Sequence, residues 1–145
     1  MWIAVLCSVK LFPNLEAALK GVFNRVLTSV DLRGNSIGDD GAMAIAEALK
    51  VNAVLTTLSL YNNNIGPEGA IAIAEALKSG MAVLTTLDLG YNSIGDEGAK
   101  AIADSLKSGT AVLTKLNLEY NSMGDAGKKA LQDAVKGRSG FVLEL

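Results

Sequence analysis

Residues 84–98 read LTTLDLGYNSIGDEG, a stretch that alternates leucines at its start and crowds acids, an asparagine and glycines at its end. The second half invites a calcium-loop reading. An EF-hand loop needs oxygen ligands at alternate places, glycine at the sixth and a bidentate glutamate at the twelfth. Counted from Asp88, the sixth place is Ser93 and the twelfth is Ala99, so the pattern fails. No Gly-Lys-Ser/Thr follows the glycines, which excludes a phosphate loop as well.

The same words recur three more times. Leu27 opens LTSVDLRGNSIGDDG, Leu55 opens LTTLSLYNNNIGPEG and Leu113 opens LTKLNLEYNSMGDAG. Restarts at 27, 55, 84 and 113 set a period of 28 to 29 residues, which marks a stack of supersecondary units. Within each copy the hydrophobic period changes. The L-x-x-L-x-L half alternates as a strand does, turning Val30 and Leu32, Leu58 and Leu60, Leu87 and Leu89, and Leu116 and Leu118 inward. In the second half Ala99, Ile102, Ala103 and Leu106 share one face of a helix.

A strand-turn-helix unit cannot bury its apolar side alone, so copies stack strand on strand and helix on helix. Parallel strands joined through helices take the right-handed crossover. Helices pack about 8–10 Å apart and strands about 4.8 Å, so the helical side forms the longer arc. The expected organisation is one domain over 1–145, with repeats at 27–54, 55–83, 84–112 and 113–141. Residues 142–145 restart a strand, and 1–26 form a degenerate capping repeat.

The run L-x-x-L-x-L-x-x-N followed by x-[IM]-G resembles the leucine-rich repeat, in the long ribonuclease-inhibitor-like class also found in NOD-like receptors. The resemblance implies an α/β fold, a right-handed horseshoe solenoid with a parallel sheet on the concave face and α-helices on the convex face. It also implies a regulatory or sensing role that needs no cofactor.

Composition narrows the chemistry. The 145 residues are 50% hydrophobic, carry 13 basic and 15 acidic side chains, and have a net charge of −2. Nothing in that balance favours nucleic acid or an anionic membrane. Histidine is absent and Cys7 is the one cysteine, which removes zinc clusters, Ser-His-Asp and Cys-His catalysis, and an intramolecular disulfide. Carboxylates alone leave little for an enzyme. A lone cysteine points to a reducing compartment, and so to the cytoplasm. The apolar run from Met1 to Val9 lacks a basic leader and is too short to span a bilayer, so it is expected in the core.

Two sets of residues stand out. Asn35, Asn63, Asn92 and Asn121 follow each strand in register with the leucines, as a ladder of amides that bond turn backbone. Acids at the helix starts (Asp39, Asp40, Glu68, Asp96, Glu97, Asp125) and lysines at the ends (Lys50, Lys78, Lys107, Lys136) suit the helix dipole. The strand positions facing away from the core vary between copies, and this open face is the expected docking surface for a partner protein. Its candidate contacts are Asp31, Arg33, Ser59, Tyr61, Asp88, Tyr91, Lys115, Asn117, Glu119 and Tyr120. The tyrosines would be anchors, because Tyr gives large contact area at low entropy cost, and the charged residues would give selectivity. The alternative is a self-assembling array, or a piece of a larger receptor, whose open ends mediate oligomerisation.

Overall fold

The computed structural model describes residues 27–79 and 82–145. The expected capping repeat at 1–26, with Cys7 in it, lies outside the described residues.

Each L-x-x-L-x-L run yields a three-residue strand, because only the middle residue must be buried before the chain turns. The strands are β1 (Ser29–Asp31), β2 (Thr57–Ser59), β3 (Thr86–Asp88), β4 (Lys115–Asn117) and β5 (Val142–Glu144). They form one parallel sheet in sequence order, with Val30, Leu58, Leu87, Leu116 and Leu143 in register across it. Between them run α1 (Gly38–Leu49), α2 (Pro67–Lys78), α3 (Gly95–Lys107) and α4 (Asp125–Val135). The inward leucines meet the alanine-rich helix faces, and Leu58, Leu60, Leu87, Leu89, Ile102 and Leu116 are completely or almost completely buried. One sheet face is sealed by helices and the other stays open. This is the right-handed α/β solenoid, with the sheet on its concave side and helices on its convex side.

Glycine sets the helix spacing. A β-carbon at Gly69 would stand 2.9 Å from the Ala42 β-carbon, and one at Gly98 would stand 2.9 Å from that of Ala70. These are closer than side chains approach, so each helix start fits against its neighbour only as glycine.

The helix starts are also capped across repeats. Asp39, in the first turn of α1, accepts the backbone N–H groups of Gly66 and Gly69, both at 2.8 Å, at the head of α2. Asp96 does the same for Gly124 at 2.8 Å and Gly127 at 3.1 Å at the head of α4. The dipole explanation of these acids therefore needs a correction: two of them serve the next helix, not only their own. At the equivalent place in the second repeat stands Pro67, which has no carboxylate, and α3 instead begins on Gly95 in a left-handed conformation (φ 65°).

Two polar ladders hold the strand ends. Asn92 donates to the carbonyls of Leu60, Leu89 and Gly90, while its Oδ1 accepts the N–H groups of Asn63 and Ile65. Asn63 and Asn121 bond across repeats in the same way and are buried. Asn35 is half-buried, and among the described residues its side chain reaches only Leu32 and Arg33 of its own repeat. At the other strand end Thr56, Thr85 and Thr114 hydroxyls donate to the carbonyls of Thr28, Thr56 and Thr85, at 2.9, 3.1 and 3.2 Å.

Candidate functional site: the open face of the sheet

Alternation along each strand turns Asp31, Ser59, Asp88, Asn117 and Glu144 onto the open face in one row, since their neighbours Val30, Leu58, Leu87, Leu116 and Leu143 point to the helices. A groove of about 380 Å³ crosses them, bounded also by Arg33 and Lys115.

The charges along it are largely matched within the chain. Arg33 grips Asp31 at two points, with Nε 2.9 Å from both carboxylate oxygens and Nη2 2.6 Å from Oδ2. That grip holds the Asp31 carboxyl below the usual carboxylate range and raises the guanidinium in turn. Lys115 Nζ lies 3.2 Å from Glu144. Asp88 accepts the Ser59 hydroxyl at 3.2 Å and the Gly90 N–H at 3.1 Å, and Asn117 accepts the Glu119 N–H at 2.9 Å.

The tyrosines stand beside this groove rather than in its lining. Tyr61 and Tyr91 have ring centroids 5.0 Å apart at 46°, and Tyr91 and Tyr120 are 4.3 Å apart at 37°, one continuous ladder across three repeats. Tyr61 reaches its neighbour because position 90 is glycine: a β-carbon there would come within 3.0 Å of the Tyr61 ring. Packing among the other two rings pushes the Tyr91 phenol above its ordinary range, chiefly through loss of solvent and then through Tyr120 and Tyr61. Tyr91 and Tyr120 are 45% and 67% exposed, so the ladder is a surface feature and not core. Beyond Tyr120 a second hollow of about 330 Å³ is lined by Glu119, Ser122, Met123, Lys128 and Leu145.

The backbone under these rings is unusual. Tyr91 and Tyr120 have φ of 53° and 56°, and the equivalent places in the earlier repeats hold Gly34 at 68° and Asn62 at 56°. Glycine and asparagine tolerate this left-handed conformation, whereas a bulky side chain rarely adopts it. Sequence reasoning missed Gly90, whose signal is the lack of a side chain, and Glu144, which falls in the restarting strand. Among the described residues no group of three or more Cys, Asp or Glu side chains is placed to hold a metal ion. Nor is any helix among them long and apolar enough to cross a membrane.

The family profile described as Leucine Rich repeat matches residues 23–46, 51–74, 81–103 and 111–131, most of the chain. The chain belongs to the leucine-rich repeat family. A search of curated proteins returns no significant match to this leucine-rich repeat chain. Among solved structures it is similar to Leiomodin-1 Actin-Binding Site 2, with a TM-score of 0.71 and 22% identity over 89% of this chain and 75% of that one. At that identity the likeness extends to the leucine-rich repeat fold.

Proposed function

We propose that this leucine-rich repeat chain is a non-catalytic scaffold that docks a partner protein on its open sheet face, anchored by Tyr61, Tyr91 and Tyr120. The observation that carries this reading is the left-handed backbone at Tyr91 and Tyr120, where Gly34 and Asn62 stand in the sister repeats. Strained, exposed aromatics contribute little to the core, and strain of this kind concentrates at binding surfaces. The charged pairs Asp31–Arg33 and Lys115–Glu144 frame the anchors and favour one approach over others. The leiomodin neighbour is named for an actin-binding site, which supports protein as the class of partner. A cytoplasmic setting and a place in the ribonuclease-inhibitor-like class belong to the same reading.

The test is affinity capture from a native lysate with the intact chain, with Tyr91→Asn/Tyr120→Asn, and with Lys100→Ala/Asp104→Ala on the helical side. Capture is expected to be lost in the tyrosine variant and kept in the helical one. The reverse pattern overturns the reading.

A further inference from the structure

We propose that the tyrosine ladder receives a basic side chain of an extended partner segment, its aliphatic stem laid on Tyr91 and Tyr120 and its cation held by Glu119 and Asp88. This rests on the open face being the docking surface and adds the chemistry of what docks.

Three observations converge. First, the cations on this face are already engaged: Arg33 by Asp31 and Lys115 by Glu144. Glu119 and Asp88 form no ion pair among the described residues. Asp88 has a hydroxyl and an amide as donors and feels Arg33 only at a distance. The carboxylates flanking the ladder thus have no cation in direct contact among the described residues. Second, the rings themselves attract cations, since the face of a neutral phenol is electron-rich. Packing against its neighbours holds the proton on the Tyr91 phenol beyond the ordinary range. Third, Gly90 leaves the Tyr61 ring lying across position 90, extending the platform without a side chain to interrupt it there. An acidic segment would meet carboxylates and ring faces that both repel it. Lys128, on α4, lines the hollow on the far side of Tyr120 and offers a nearby position for a partner's carboxylate.

The experiment uses three synthetic nine-residue Ser/Gly peptides carrying arginine, citrulline or glutamate at alternate places, titrated into the full chain and followed by NMR. The arginine peptide is expected to bind with upfield ring-current shifts of its side-chain methylenes. Affinity should fall about tenfold in Tyr91→Asn/Tyr120→Asn, as two cation–π contacts are lost. It should fall again in Asp88→Asn/Glu119→Gln, with a shallower salt dependence. Equal binding of the arginine and citrulline peptides, or preference for glutamate, overturns the cation proposal while leaving the docking face intact. No binding by the arginine peptide, with tyrosine-dependent lysate capture preserved, does the same. Tyrosine-independent capture together with peptides that ignore the ladder overturns both.

Discussion

The ring of Tyr61 lies against Gly90, so close that a β-carbon at position 90 would stand 3.0 Å from its Cδ2 and 3.2 Å from its Cε2. The sheet face owes its continuous aromatic ladder to that missing side chain.

Gly90→Ala is therefore expected to shift Tyr61 by a few tenths of an ångström, and Gly90→Leu to lift it off Tyr91. Stability should change little in the alanine variant, within about 1 kcal/mol, because the reduced entropy of the unfolded chain offsets the crowding. The measurement is the NMR ring-current shift between Tyr61 and Tyr91, which should weaken in Ala and vanish in Leu.

Capping across repeats makes a stability prediction that charge alone does not. Asp39→Ala and Asp96→Ala each remove an acceptor from two backbone N–H groups of the next helix, at an expected cost of about 1–2 kcal/mol. Asp40 is exposed and supplies charge to the helix start without such bonds, so Asp40→Ala should stay within about 0.5 kcal/mol. Urea unfolding of the three variants checks the ranking, and equal effects would show that the dipole matters and the caps do not.

The asparagine ladder should respond unevenly. Asn92→Ala strips the buried N–H groups of Asn63 and Ile65 and the Leu60 carbonyl of their partner, while the Leu89 and Gly90 carbonyls keep Asn121 and the Asn62 N–H, and is expected to cost about 3 kcal/mol. Asn35→Ala takes the donor from the Arg33 carbonyl and one of two from the Leu32 carbonyl, which keeps Asn63, and about 1 kcal/mol is expected. Chemical denaturation of both variants distinguishes a graded ladder from four equivalent rungs.

The titrating groups act at opposite ends of the pH scale. Asp31 is held below its usual range by Arg33, so its contribution is present at neutral pH and disappears as pH falls through that lowered value. Both side chains are exposed, which keeps the effect small and sensitive to salt. Tyr91 is raised, so stability is full below the ordinary phenol value of about 10 and declines as pH climbs from there to the folded value. Near-ultraviolet titration should show a tyrosine ionising above the ordinary phenol range, and Tyr120→Asn should bring it back towards that range.

Much of this structure was readable before folding because each instruction is written four times. Val30, Leu58, Leu87 and Leu116 mark the strands, and Ala99, Ile102, Ala103 and Leu106 mark a helix face, since burial imposes the two periods on any sequence. The column shared by Tyr91 and Tyr120 was readable for the same reason. What escaped depends on partners far along the chain. Asp39 meets N–H groups 27 and 30 residues later, yet it already had a local explanation in its own helix. The Lys115–Glu144 pair and the Tyr61–Gly90 contact arise from side-chain reach across strands, which spacing alone does not encode. The left-handed backbone under Tyr91 and Tyr120 was hidden too, because tyrosine is a poor sign of that conformation.

The most direct measurement joins folding to docking in one variant. Tyr91→Asn/Tyr120→Asn replaces two strained aromatics with the residue that Asn62 shows to fit the same turn. Strain is relieved as ring contacts are lost, so thermal melting should stay within about 5 °C of the parent. Partner capture, in the same samples, should disappear. A variant that melts far below the parent yet captures the same proteins would show that the tyrosines serve the fold, and would contradict the docking face.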